Sequence, residues 1–319
     1  MFKRTEDRTK KGKELRSVFV DTLLKLMETD ENIVALDGDL GGASKFTDIA
    51  KTYSDRFIQC GISEANMVGV SAGMSTVGFK PFMHTFGPFA TRRVYDQIYL
   101  SGAYAGNTIN IYGSDPGFCA GPNGGTHTTW EDVALMRAIP NTIVCDAADE
   151  VQLAWIIEEF AKRKGVHYIR ANRKACRNVY QEGSTFELGK GNLLQKGSDV
   201  LIITAGQIVS DALDCAQSLE GQNLSVSVID MFCIKPLDKD LIIKEAKEKK
   251  AVVTFENHSI TGGLGSAVAE VLAENQINVS FKRHGVNERF GQVGTPEFLQ
   301  KEFKLTAQDL EETIQTLLQ

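Results

Sequence analysis

The chain lacks the fingerprints of the commonest nucleotide enzymes. It contains neither a GxGxxG nor a GxxxxGK[ST] stretch, which excludes dinucleotide or nucleoside-triphosphate binding through those backbone cradles. No segment approaches the roughly 18 consecutive apolar residues of a membrane-spanning helix. No apolar run follows the N-terminal stretch as it would in a secretory signal, so a cytoplasmic protein is expected. There is no CxxC pair. Cys60, Cys119, Cys145, Cys176, Cys215 and Cys233 are widely and irregularly spaced, which reads as reduced thiols. The five histidines show no HExxH or other ligand spacing, so no metal site of the chain's own is expected. Positive charge is in deficit, the net charge being -6. That argues against a nucleic-acid or membrane-surface binder, whose affinity rests on a basic face. The one basic cluster (Lys3, Arg4, Arg8, Lys10, Lys11, Lys13, Arg16) is interrupted by Glu6, Asp7 and Glu14 and reads as a solvated arm or helix.

What is present suits two domains of ordinary size: 319 residues, 42% hydrophobic and 24% charged. Short apolar runs predict strands at 33–36, 57–60, 108–112, 142–145 and 166–169. Between them, helical spacing predicts helices over 17–27, 64–77, 91–105 and 149–164. The pattern weakens around Arg177 to Gly197, where Gly183, Gly189, Gly191 and Gly197 punctuate it. A second unit follows, with strands at 200–204, 224–229, 251–255 and 279–282. Its helices fall at 208–219, 265–274 and 306–318, the last opened by Thr306 with Asp309 three residues on. The fold expected is therefore α/β, with domains at 1–183 and 184–319, each a mainly parallel sheet with helices on both faces.

Ligands of open α/β sheets bind beyond the carboxyl ends of strands, and four segments there carry suitable residues. Asp37-Gly38-Asp39-Leu40-Gly41-Gly42-Ala43-Ser44 is a cofactor or phosphate loop, or a plain strand-to-helix turn. Glu64, within Gly61-Ile62-Ser63-Glu64-Ala65-Asn66-Met67, opens a helix. It faces the ligand crevice, or it simply complements the helix dipole. Thr85-Phe86-Gly87-Pro88-Phe89-Ala90 sets two aromatics about a Gly-Pro turn, for stacking a flat ligand or for the core. The glycine-rich stretch from Gly113 to His127 excludes regular structure. His127 is either a proton-transfer or hydroxyl-binding group, or a surface histidine capping the next helix.

Together these segments resemble the thiamine-diphosphate-binding pyrimidine (Pyr) domain of transketolases, in order and spacing, through nearly the whole chain. Gly61 to Gly69 looks like the family's cofactor-glutamate motif. Phe82 to Phe89 resembles the segment whose aromatic stacks on the aminopyrimidine. Gly125-Thr126-His127 resembles the substrate-loop histidine motif, and Glu256 to Gly265 a turn of the C-terminal domain. Arg92 to Gln97 is similar to deoxyxylulose-phosphate synthases and split transketolases. The resemblance implies that Glu64 hydrogen-bonds the pyrimidine nitrogen and promotes formation of the thiazolium ylid. It implies that Phe86 stacks on the ring with Phe89 alongside, and that Asp39, Leu40 and Ile62 line the pocket. The activity implied is transfer of a two-carbon ketol unit from a ketose phosphate to an aldose. His127 would contact sugar hydroxyls, and Arg173, Arg16 and Ser44 would hold the substrate phosphate.

The family's diphosphate- and metal-binding GDG motif is not matched, Asp37-Gly38-Asp39 being different. The resemblance therefore implies an N-terminal partner subunit carrying the diphosphate-binding (PP) domain and the divalent cation, magnesium or calcium, within a heterotetramer that includes self-association. Two positions depart from the family pattern near the sugar: Asn123 where an acidic residue is usual and Ser114 where a histidine is frequent. They leave room for a specialised ketose phosphate. Rival readings are the beta subunit of a 2-oxoacid dehydrogenase, a deoxyxylulose-phosphate-synthase-like subunit, and a catalytically silent assembly subunit.

Overall fold

The computed structural model describes all 319 residues. In the first sheet β1 (Ile33–Asp37), β2 (Phe57–Gln59), β3 (Lys80–Phe86), β4 (Ile109–Ser114), β5 (Ile143–Asp146) and β6 (Val166–Ala171) run parallel. The second contains β7 (Asn192–Gln195), β8 (Val200–Thr204), β9 (Val226–Asp230), β11 (Ala251–Ser259) and β12 (Ser280–Val286), parallel except for β7. Between β9 and β11 the short β10 (Cys233–Lys235) leaves the second unit and pairs antiparallel with β5, so the strand orders are β10-β5-β6-β4-β3-β1-β2 and β12-β11-β8-β9-β7. The mainly parallel α/β architecture expected from the sequence is the one observed.

The interior strands are apolar because parallel strands with helices on both faces have no wet side. β1 and β8 are buried at every residue. The helix Leu15–Met27 lays Leu15, Phe19 and Leu23 against Leu153, Ile156 and Phe160 of the helix Glu150–Phe160. Burying each such side chain stabilises by about 1.5–3 kcal/mol. The predicted capping of the last helix is present: Thr306 accepts from the Asp309 amide, and Asp309 accepts from the Thr306 amide.

Three expectations need correction. The segment before Gly87 is not merely a turn: β3 is an interior strand between β4 and β1, and Gly87–Ala90 forms a helical turn with Pro88 at its start. Pro81 breaks the strand pattern, but it is only the second residue of β3. The stretch 113–127 is not free of regular structure either, since β4 runs through Ser114 and Gly117–Asn123 makes 3₁₀ turns kinked at Gly121. The helix expected over 91–105 is divided into a 3₁₀ turn (Arg92–Val94), an α-turn (Tyr95–Gln97) and a π-helical stretch (Ile98–Tyr104).

Asp230, at the end of β9, is fully buried, and the Tyr180 hydroxyl and Gln152 amide donate to its Oδ2. Burial pushes its carboxyl up to about 7 against these hydrogen bonds. A carboxyl raised above its unfolded value favours the fold below that unfolded value, and loses the contribution as pH rises to the folded one. Relative to Asp230→Asn, the wild type should therefore lose stability between about pH 4 and about pH 7 and run parallel above. Urea midpoints across that range check it; a pH-independent difference between the two proteins would exclude it.

Candidate active site

The first sheet reverses its winding between β1 and β3, because the chain leaves β1 for β2 on one side and later returns to β3 on the other. A crevice at the carboxyl ends is the expected ligand site of such a sheet. Asp39 follows β1, Glu64 follows β2, Phe86 ends β3, Ser114 ends β4, and Arg173 follows β6.

Glu64 is the first residue of the helix Glu64–Thr76, where backbone amides and dipole favour a carboxylate. It is only 4% exposed. Arg93 donates to its Oε1 at 2.6 Å, and no protein donor bonds Oε2. The Arg93 guanidinium also lies 3.8 Å from the centre of the Phe89 ring. Phe89 and Phe86 meet edge-on at 6.2 Å, and the His127 ring stands 5.1 Å from Phe89 and 5.4 Å from Phe86. Burial, with Arg93 nearby, lowers the His127 pKa, so the imidazole is neutral at neutral pH. Its Nδ1 pairs with the Thr126 hydroxyl at 2.8 Å.

The Arg173 guanidinium also lies against Phe86, 4.7 Å from the ring centre. Arg173 forks onto Asp115, Nε and Nη2 each 2.5 Å from Oδ2. Burial raises the Asp115 carboxyl, and Arg173 opposes that shift. The Arg16 amide donates to the Arg173 carbonyl, and the Arg16 side chain reaches the Ala43 carbonyl at 2.9 Å while pairing with Glu14. Glu64, Arg93, Phe89, His127, Phe86, Arg173, Arg16 and the 39–44 loop thus form one connected row.

The remaining expected residues are placed less directly. Ile62 is 75% exposed, Asp39 and Asn123 are exposed, and Leu40 is half-buried. Ser44 and Ser114 are fully buried. Ser44 Oγ donates to the Leu40 carbonyl, and Ser114 Oγ pairs with His84 Nε2 at 3.0 Å. Direct contact with a ligand is therefore not open to either serine in this arrangement; both support the loop behind the arginines. Behind them lies a network the sequence did not reveal. Asp37 accepts from the Leu40 and Gly41 amides and from Gln59, with His84 Nδ1 at 3.5 Å. Burial raises the Asp37 carboxyl, but His84 and the hydrogen bonds outweigh it, leaving the pKa below the usual value. Arg93 belongs to the Arg92 to Gln97 segment, but nothing in that segment points to its bond with Glu64.

A buried carboxylate with one oxygen unclaimed, beside an aromatic wall, fits the pyrimidine end of a cofactor with a ring nitrogen to bind. No group of three or more His, Cys, Asp or Glu side chains is placed to hold a metal ion.

Family comparison decides the family. Residues 11–178 match the transketolase pyrimidine-binding domain and residues 189–310 the transketolase C-terminal domain. The chain belongs to the transketolase family. It is 43% identical over 296 residues to the 6-deoxy-6-sulfo-D-fructose transketolase subunit SqwH of Clostridium sp. (strain MSTE9), covering 93% of this chain and 92% of that one. It is 36% identical over 268 residues to one of the subunits of the apulose-4-phosphate transketolase of Phocaeicola vulgatus (strain ATCC 8482), covering 83% and 85%. Among solved structures it superposes on a split-gene transketolase, described as an inactive beta4 tetramer, with TM-score 0.89 and 38% identity over 96% of this chain and 99% of that chain. This transketolase chain therefore has the domain content of a C-terminal subunit of a split enzyme, and its pyrimidine-binding domain implies thiamine diphosphate as cofactor.

Proposed function

We propose that the chain, joined to an N-terminal subunit that binds the diphosphate and a divalent cation, transfers a two-carbon ketol unit from a ketose to an aldose. The observation that carries this reading is the buried Glu64 carboxylate at a helix start, with Oε2 unclaimed, beside Phe86, Phe89 and His127. When bound, thiamine diphosphate supplies the nucleophilic carbon that carries the two-carbon unit. Glu64 holds a proton against the pyrimidine nitrogen, and Phe86 gives the ring a flat face, with Phe89 beside it. Neutral His127 hydrogen-bonds a substrate oxygen where charge develops. Arg173 and Arg16 line the side where a terminal anion would sit, and guanidinium forks suit phosphate or sulfonate oxygens.

The donor we favour is a ketose with an anionic terminus. The relatives named for sulfofructose and apulose 4-phosphate support a specialised sugar over a general one, as does the exposed Asn123. The outer face of the Glu64 helix supports a partner chain. Ala65, Asn66, Gly69 and Gly73 are exposed there, and no atom lies within 4 Å of a side chain built on either glycine.

The test is to purify the chain alone and together with a PP-domain subunit. Each sample is then assayed for thiamine-diphosphate-dependent transfer to ribose 5-phosphate. Xylulose 5-phosphate, 6-deoxy-6-sulfofructose and apulose 4-phosphate serve in turn as donors. Activity only in the mixture is expected. Full activity of the chain alone would overturn the two-chain reading, and a stable complex inert toward every donor would overturn the reaction.

A further inference from the structure

We propose that the C-terminal domain is a positioning element for the reaction: it clamps the loop that carries His127 at both ends, with Asn257 and Gly291 as the jaws. The inference rests on the reading of His127 as the substrate-facing group. No side chain of the C-terminal domain belongs to the row of site residues, so its influence must pass through something it holds. The loop 116–128 is what it holds.

At the entry of the loop, Asn257 of β11 is 3% exposed and makes a two-way contact. Its Oδ1 accepts from the Phe118 amide at 3.2 Å, and its Nδ2 donates to the Pro116 carbonyl at 3.1 Å. The fit leaves no space, because a Cβ on Gly117 would overlap Asn257 Oδ1. Asn257 is itself fixed, its carbonyl accepting from Arg170 of β6 at 2.6 Å. At the exit, the segment 291–294 presses on the residues flanking His127. A Cβ on Gly125 would lie 2.5 Å from the Gly291 carbonyl oxygen, and a Cβ on Gly291 would overlap Thr128 Oγ1. Val293 Cγ2 would meet a Cβ on Gly124 at 2.7 Å. Backbone thus packs on backbone before the histidine, and after it the Thr128 side chain packs on the Gly291 backbone. Within the loop, the His127 and Thr128 amides both donate to the Gly124 carbonyl, at 3.0 and 3.1 Å. On this held backbone the imidazole packs edge-on against Phe86 and Phe89. A misplacement of the order of 1 Å far from the chemistry can cost about 10²-fold in rate.

Packing alone would explain tight glycine contacts, and a structural role and a positioning role separate in the kinetics. Gly291→Ala, which pushes on Thr128, is assembled with the partner subunit. Val293→Ala, at a side chain 68% exposed, is made in parallel because it removes a jaw contact without threatening the fold. Three quantities are read: hydrogen exchange of the peptide spanning Gly124 to Trp130, thiamine diphosphate affinity by fluorescence quenching, and KM and kcat for the donor sugar. The expected result is faster exchange in that peptide and unchanged cofactor affinity. For Gly291→Ala, donor kcat/KM should fall between about tenfold and about 10²-fold, largely through kcat, with Val293→Ala shifting in the same direction by less. Faster exchange with donor kinetics unchanged would overturn the proposal, as would unchanged exchange in both variants. If the wild-type complex transfers no two-carbon unit from any donor, the assigned reaction fails instead, and the exchange measurement alone decides whether the clamp exists.

Discussion

Glu64→Gln in the assembled enzyme should reduce ketol transfer by about 10²–10⁴-fold, the span of a lost acid–base group. The substitution keeps shape and burial. The glutamine carbonyl oxygen can still accept from Arg93, which bonds only one of the two oxygens now, so the helix start and its contact with the Phe89 side remain. What is lost is the carboxyl's ability to hold and return a proton at a ring nitrogen. An amide in its place offers only fixed donor or acceptor atoms. Association with the N-terminal subunit, read by size-exclusion chromatography, should be unaltered, and thiamine diphosphate should bind more weakly. Turnover equal to wild type would remove Glu64 from the chemistry and make a catalytically silent assembly role the better description of the chain.

The largest stability loss is expected at Arg170. Its guanidinium is fully buried in the floor between the two sheets, bonded to Asp132 and Asp146 at 2.7 Å each and to the Asn257 carbonyl. The two carboxylates respond differently to it. Burial raises both, but Asp132 also takes the Tyr168 hydroxyl and faces His258, and its pKa ends below the usual value. Asp146 has Arg170 alone against full burial, and is pushed up to about 6. Arg170→Met would leave two buried carboxylates, Asp132 and Asp146, without their cation, a loss that costs about 3–5 kcal/mol for one buried pair. Adding Asp146→Asn should recover part of that, since one of the two charges left behind is removed. Urea unfolding of the single and double variants measures both effects. A single variant as stable as wild type would mean that the network carries no net cohesion.

Residues whose meaning is local could be read from the sequence. The apolar runs of β1, β8 and β11 leave no alternative to burial, and the Thr306–Asp309 cap needs only four consecutive residues. Glu64 and Phe86 were legible because a carboxylate at a helix start and aromatics at a strand end stand out, and because their spacing matched a known family. Residues whose meaning lies in distant partners could not be read so. Arg170 sat unremarked three positions before Arg173, although its partners are Asp132, Asp146 and Asn257. Asp37 and His84 become a pair only because β1 and β3 are neighbours. Ser114 was placed at the sugar by analogy, but the register of β4 against β3 turns it onto His84. The short β10 offers three residues and no periodicity at all.

That short strand decides where this chain can be divided. β5 would otherwise be an open edge, a row of unpaired amides and carbonyls that recruits strands from other molecules. Residues 233–235, from far beyond the glycine-rich junction, close it. A fragment ending near residue 183 would carry the residues that surround the cofactor ring, yet it would present a raw sheet margin to its neighbours. Subunits that meet only through surfaces can be encoded apart and reassembled; two lobes, one of which lends the other a strand, are best made as one ribbon.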